Sequence, residues 1–273
     1  MEMQKKISFS LVFTQTCNFF RNRIIPIALV SLLVALMSSV ISYYLYKPET
    51  YTQLYLSGNT TSYVSVIIIA VAISIVMKSI SIATVYNLYV SDKLNPKLLL
   101  SRVLENLLKI IAFYLVMIFH LVVIVLFLFL ILIILNLLLP KSLIISLIFI
   151  TLIISSVLFF IFTSFFFGLL AESKQKSFSD LFSLSCQLTK MQWRPSFLML
   201  LINIAYLMII TILSMIIDEN NIIVVNIIFS FCSVFFDIFL TSFFYRLYWL
   251  VTNDANSNFP TKDDQQETNS LIV

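Results

Sequence analysis

The chain has 273 residues, of which 60% are apolar and 11% are charged, with 2 glycines and a formal net charge of +4. Ordinary soluble domains carry about 25% charged residues and about 7% glycine. Seventeen basic and thirteen acidic side chains cannot cover this chain with a polar surface. A soluble globular protein is therefore excluded, and we expect an all-α integral membrane protein with one membrane domain over residues 1–251.

Six apolar segments are long enough to cross a bilayer, because about 20 residues of helix span a hydrocarbon core of about 30 Å. They cover residues 24–46, 63–90, 110–135, 143–171, 196–217 and 222–251. The first segment has no small-residue cleavage site behind it, so we expect it to remain as a span rather than to be removed as a signal peptide. The sequence predicts six transmembrane helices.

Amphipathic segments precede the first, third and fifth spans. Residues 9–26 and 178–195 match at a constant offset of 169, with five identities. Between them, Asn95 and Pro96 suit a helix start, and leucines form a stripe over residues 99–108. We expect three cytoplasmic amphipathic helices, which we call elbows.

Each elbow is expected to end in a bend at a basic residue, namely Arg21, Lys109 or Lys190, and to lead into a hairpin of two spans. Two interpretations stay open. The three elbow-plus-hairpin units are repeats, or a shared composition of phenylalanine, serine and one cation aligns them without a repeat.

The basic residues predict the orientation of the spans. Three regions, before the first span and in the second and fourth loops, hold Lys5, Lys6, Arg21, Arg23, Lys93, Lys97, Arg102, Lys109, Lys174, Lys176, Lys190 and Arg194. The opposite side holds only Lys47 and Lys141. By the positive-inside rule the basic side is cytoplasmic, so we expect both termini in the cytoplasm and an even number of spans.

The last 22 residues, 252–273, form a polar segment that carries four acidic residues against Lys262. Such a composition cannot bury enough apolar surface to fold by itself. We expect a disordered cytoplasmic tail.

Two segments carry a family resemblance. Residues 18–36 (NFFRNRIIPIALVSLLVAL) and residues 244–250 (FYRLYWL) resemble the YciC family of bacterial inner-membrane proteins. The resemblance implies a multi-pass inner-membrane protein of uncharacterised function, and it supplies no catalytic or binding residues. The chain departs from the family pattern in its short first external loop, its scarcity of glycine and its acidic tail.

Three titratable residues lie inside predicted spans, where a charge is costly. Lys78 and Asp237 each lie 15 residues from the outer ends of their spans, and His120 lies at a similar depth. One hypothesis is an intramembrane layer in which Lys78 pairs with Asp237 close to His120 and relays protons or ions. The alternatives are that Lys78 snorkels to the cytoplasmic interface and that His120 is a structural group.

Four basic residues are candidate contacts for anionic lipid headgroups. Arg21, Lys109 and Lys190 stand at the elbows, and Arg246 lies in an aromatic stretch near the inner end of the last span. Arginine among interfacial tyrosines and tryptophans can bind lipid phosphate. The alternative is a generic interfacial anchor.

The sequence offers no sign of an enzyme. Two glycines cannot build a nucleophile elbow or a phosphate-binding loop, and one histidine excludes a two-histidine metal site within the chain. The three cysteines are far apart, so neither a disulfide framework nor a zinc site is expected. The lopsided charge favours membrane orientation over nucleic-acid binding.

We therefore expect a non-catalytic protein without cofactors that interacts with lipids or with an unidentified membrane protein partner in the inner membrane. The alternative function is a small secondary transporter or channel that uses the layer of Lys78, His120 and Asp237. Against it, the spans lack the glycine and proline interruptions that are common in transporters.

Overall fold

The computed structural model describes residues 6–45, 60–91, 93–135, 140–172, 177–216 and 222–256. Within these ranges every regular element is an α-helix, which confirms the predicted all-helical class there. The helices are α1 Phe9–Asn22, α2 Ile24–Leu45, α3 Thr60–Val90, α4 Pro96–Leu135, α5 Lys141–Thr163, α6 Phe165–Glu172, α7 Phe178–Met191, α8 Trp193–Ile216 and α9 Ile222–Asn256.

Four of these helices, α3, α4, α8 and α9, are each long and apolar enough to cross a membrane. Helix α2 meets this requirement only together with α1, from which it is bent by 81°. The predicted span 143–171 is divided at Ser164 between α5, which has 23 residues, and α6. The described residues therefore contain four potential spans, or five if α1 and α2 are one, and six spans stay a prediction.

Helices α1 and α7 correspond to the first and third predicted elbows. Each has 14 residues and a serine N-cap, Ser8 or Ser177, whose hydroxyl accepts a hydrogen bond from a backbone N–H three residues later. Each has a basic residue in its last turn, Arg21 or Lys190, and a one-residue break before the next helix. Both helices start and end at the same offset of 169.

The second predicted elbow does not form a separate helix. Helix α4 runs without interruption from Pro96 to Leu135, so the predicted bend at Lys109 is wrong. Its first turns lie along α3, where the Ser79 hydroxyl donates to the Val103 carbonyl at 2.7 Å. Because leucine, lysine and arginine all favour helix, nothing in this segment ends the helix before the apolar run begins. Of the three predicted elbows, two form separate helices, α1 and α7, and the third is part of α4.

Helix α9 lies at the centre of the bundle and packs against α2, α6, α3 and α1. Helix α6 approaches it closely at Gly168, where a Cβ atom would lie 2.6 Å from both the Phe244 carbonyl carbon and the Tyr245 amide nitrogen. Many large apolar side chains face outward from α2, α4, α5 and α8, as expected for surfaces in contact with lipid.

Some of the predicted features fall at the limits of the described residues. Helix α9 continues to Asn256, so the predicted tail begins with helical residues, and residues 257–273 lie outside the described ranges. Also outside them are Lys5, Lys47, Lys174, Lys176 and the acidic turn at residues 218–221.

Candidate functional site

Lys78 on α3 and Asp237 on α9 form an ion pair inside the bundle. Their side chains are 11% and 27% exposed. The Lys78 ammonium also lies 4.2 Å from the centre of the Phe167 ring on α6, a favourable cation–π contact. Lys78 is 12 residues from the end of α3, about 18 Å, and its ammonium is held within the protein rather than snorkelling to that end.

His120 does not join this pair. Its Nε2 lies 3.1 Å from the Ser155 hydroxyl on α5, and its ring stacks on Phe159 with 5.0 Å between centroids. A chain of aromatic contacts leads from there towards Lys78 through Phe159, Phe113 and Phe167. The structure therefore brings together two of the three predicted groups and separates the third from them by aromatic rings.

The predicted lipid contacts at the elbows differ in exposure. Arg21 and Lys190 are exposed at the ends of α1 and α7, whereas Lys109 is half-buried in the middle of α4. Only the first two have the position and exposure that the prediction required.

A cavity of about 320 Å³ lies between the start of α1 and the junction of α7 with α8. We call it the elbow pocket, and its polar and aromatic lining comprises Lys6, Ser8, Gln192, Trp193 and Arg194. The Ile7 amide donates to the Gln192 side-chain oxygen at 3.2 Å, which joins its two walls. Lys6 and Arg194 are exposed, and Trp193 is 53% exposed. Sequence analysis counted the two cations as flanking charges, but the pocket depends on contacts across about 185 residues.

Arg246 is buried, with 3% exposure, so it is not an exposed anchor at the interface, and its contact with a lipid headgroup stays a prediction. Its Nε donates to the Gln15 side-chain oxygen at 2.7 Å, and its guanidinium lies 4.3 Å from the centre of the Trp249 ring. The side chain is covered because α1 packs across α9, where Phe9 stacks near Phe243 at 5.5 Å.

A buried aromatic and basic cluster surrounds Arg246. Tyr89 stacks on Phe19 with 4.1 Å between ring centroids and contacts Tyr245 at 4.4 Å with the rings tilted by 49°. The Arg23 guanidinium lies 5.2 Å from the Phe19 ring centre. The two segments that carry the family resemblance thus meet in space. Sequence reasoning missed Tyr89 and Gln15, since both have partners on distant segments. A local signal is the four-residue spacing between Phe19, in the last turn of α1, and Arg23, which caps the end of that helix.

Cys17 and Cys186 occupy corresponding positions on α1 and α7. Burial raises the pKa of both thiols, and Lys190 partly offsets this effect at Cys186. A raised pKa lowers the fraction of reactive thiolate at neutral pH, which is typical of structural rather than catalytic cysteines. Among the described residues, no group of three or more histidine, cysteine or acidic residues is placed to hold a metal ion.

Comparison of the chain with models of protein families, with curated proteins and with solved structures finds no match. The class of protein is therefore defined by the fold itself, an all-helical chain with four or five helices able to span a membrane.

Proposed function

We propose that this protein is a non-catalytic, multi-pass component of the bacterial inner membrane that binds anionic lipid headgroups through its elbows α1 and α7. The observation that carries the proposal is the elbow pocket, which places two exposed cations and an exposed tryptophan around one cavity. Membership in the YciC family is part of the proposal and is supported by residues 18–36 and 244–250.

The chemistry of the elbow pocket suits a phospholipid headgroup. Lys6 and Arg194 attract anionic phosphate, each by about 1 kcal/mol near a charged membrane surface. Trp193 is amphipathic and favours the headgroup level of a bilayer. Arg21 and Lys190 add exposed positive charge on the same two helices. This combination favours a lipid surface over a soluble anion or nucleic acid.

The proposed topology places this pocket at the cytoplasmic face. It has six spans and both termini inside, with the fourth span made of α5 and α6 together. The bend of 81° between α1 and α2 supports it, because it lets an amphipathic helix lie along the surface while the next helix enters the bilayer. Anionic lipids of the inner leaflet would then lie beside the pocket.

The test is to measure phosphatidylglycerol that co-purifies with the full-length protein. The double variant Lys6→Gln/Arg194→Gln should retain several-fold less of this lipid than the unchanged protein. The matched control, Lys93→Gln/Lys97→Gln, removes the same charge from two exposed residues, one just before α4 and one in its first turn, and should retain the lipid. Equal loss from both variants, or no loss from either, would contradict the proposal.

A second candidate function is a small transporter or channel, favoured by the Lys78–Asp237 ion pair inside the bundle. In a protein whose native cysteines are replaced by serine, a transport path predicts that Ser81→Cys reacts with a membrane-impermeant maleimide. Ser10→Cys, exposed on α1, is the positive control. Reaction at residue 10 with full protection at residue 81 would count against transport.

A further inference from the structure

Arg246 and Tyr89 each have a buried polar atom that no described residue satisfies. The Arg246 Nη2 atom and the Tyr89 hydroxyl are both inaccessible and have no hydrogen-bond partner in the described part of the chain. The two groups lie within electrostatic range of each other, but they do not bond to each other. Both are hydrogen-bond donors, so each requires an acceptor.

The guanidinium of Arg246 is held in a fixed orientation. Gln15 of α1 accepts from its Nε at 2.7 Å, and Trp249 covers one of its faces. The Nη2 edge is therefore positioned by the protein and not free to rotate away. With Nε already bonded to Gln15, the Nη2 atom is the donor left for an oxyanion, and a hydrogen bond from a charged guanidinium is a strong one.

Among the described residues, no carboxylate lies within electrostatic range of Arg246. Arginine stays protonated in proteins, and the groups within electrostatic range of it are the tyrosines 89 and 245. Arg23 brings a second positive charge within range of Tyr89. Glu172 acts on Tyr245 but is exposed to solvent. Burying a positive charge without a negative partner is strongly unfavourable, which indicates that an anion completes the cluster.

We propose that Arg246 and Tyr89 form a buried oxyanion site that binds one phosphate group of a phosphomonoester or phosphodiester. Tyr89 is the last residue but one of α3, so the site lies at the depth of lipid phosphates in the proposed topology. The inference rests on the proposed function for a lipid as the source of the phosphate, although the site is distinct from the elbow pocket. Helix α1 supplies a wall to both sites.

The chain contains only two tryptophans, Trp193 and Trp249, and each reports one site. In the Trp193→Phe protein, the fluorescence of Trp249 is titrated with inorganic phosphate, dioctanoyl phosphatidylglycerol and dioctanoylglycerol, which lacks phosphate. We expect a saturable change with phosphatidylglycerol and none with dioctanoylglycerol. A response to inorganic phosphate as well identifies a general phosphate site, and its absence identifies the lipid headgroup as the source.

Two substitutions test the donors. Arg246→Gln should abolish the response of Trp249, and Tyr89→Phe should weaken binding about tenfold, because it removes one hydrogen bond to a charged group. Tyr89→Phe removes a hydroxyl without a protein partner, so it should leave the fold intact even if Arg246→Gln does not fold. The matched control is Tyr206→Phe, which removes another buried tyrosine hydroxyl, on α8 and outside the Arg246 cluster.

The inference is overturned if Trp249 does not respond to either phosphate compound, if it responds equally to dioctanoylglycerol, or if Tyr89→Phe behaves like Tyr206→Phe. The reciprocal protein, Trp249→Phe, leaves Trp193 to report the elbow pocket. If Trp249 responds and Trp193 does not, the proposed lipid binding at the elbow pocket is contradicted and the buried site is retained. If Trp193 responds and Trp249 does not, the buried site is contradicted and lipid binding at the elbow pocket is retained.

Discussion

The contact between Lys78 and Asp237 could be predicted from the depth of each residue in its span. Both lie 15 residues from the predicted outer ends of their spans, and the structure joins them across 159 residues of sequence. A charge inside a membrane bundle needs a partner of opposite sign at the same depth. The same reasoning fails for His120, whose Nε2 lies 3.1 Å from the Ser155 hydroxyl on α5.

Removing one member of the Lys78–Asp237 pair should destabilise the protein. Asp237→Leu should cost more than Lys78→Met, since it isolates the less exposed of the two charges. We expect the single changes to cost about 2 to 4 kcal/mol, somewhat less than for a fully buried pair, and the double variant to lie close to the unchanged protein. Thermal unfolding in detergent measures this. A double variant whose loss equals the sum of both single losses would argue against the pair.

Replacing either of two buried asparagines by leucine is expected to have opposite effects on stability. The Asn87 side chain donates to the Asn95 carbonyl at 2.8 Å and accepts from its amide at 3.2 Å, whereas no described residue forms a hydrogen bond with the Asn106 side chain. Asn87→Leu should lower stability by about 1 to 3 kcal/mol, because it leaves backbone groups unsatisfied. Asn106→Leu should be neutral or stabilising. Unfolding temperatures of the two variants, compared side by side, decide this, and a large loss at residue 106 would reveal a partner there.

At the scale of elements, the elbows show what helical patterns can and cannot predict. Ser8 and Ser177 cap α1 and α7, and each helix ends where a basic residue meets the next apolar run. These start and end signals involve neighbouring residues, so they can be read from the sequence. Helix α4 has the same amphipathic start but no break, because its residues allow the helix to continue past Lys109. Whether a helix bends there is decided by packing on α3.

The contact between α6 and α9 at Gly168 leaves no room for an added methyl group. Gly168→Ala would place a Cβ atom 2.6 Å from the backbone of α9, so α6 and α9 would have to move apart. We expect a loss of stability of about 1 to 3 kcal/mol or failure to fold. The control Ala72→Leu adds more volume on an exposed face of α3 and should be tolerated. Similar unfolding temperatures for both variants would show that the close approach is not required.

At the scale of the whole molecule, apolar side chains cover the outside of the helical bundle and polar side chains pair inside it, an arrangement that suits a lipid environment. Helix α9 contacts helices from both halves of the chain and carries both Asp237 and Arg246. On this one helix, nine residues separate the ion pair from the buried basic cluster, which is about 14 Å. A single rigid element therefore sets the spacing of the two polar centres.

The number of spans decides where the termini lie. Six spans, as proposed, place both termini in the cytoplasm, whereas five would place them on opposite sides. Reporters fused before Met1 and after Val273, one active only in the cytoplasm and one only outside it, should both indicate the cytoplasm. A C-terminal reporter active outside would contradict the proposed topology.

The sequence by itself determined the all-helical class, the elbows α1 and α7, and the depth at which Lys78 meets Asp237. Helix capping depends on residues within one turn, and a membrane span depends on about 20 consecutive residues. Both can therefore be recognised from neighbouring residues in the sequence. The tertiary structure alone decided that Arg246 is buried, that His120 stands apart and that the span at residues 143–171 is divided at Ser164. The physical reason is that each depends on which distant helix packs alongside. Gln15 meets Arg246 across 231 residues, and no local pattern encodes that contact.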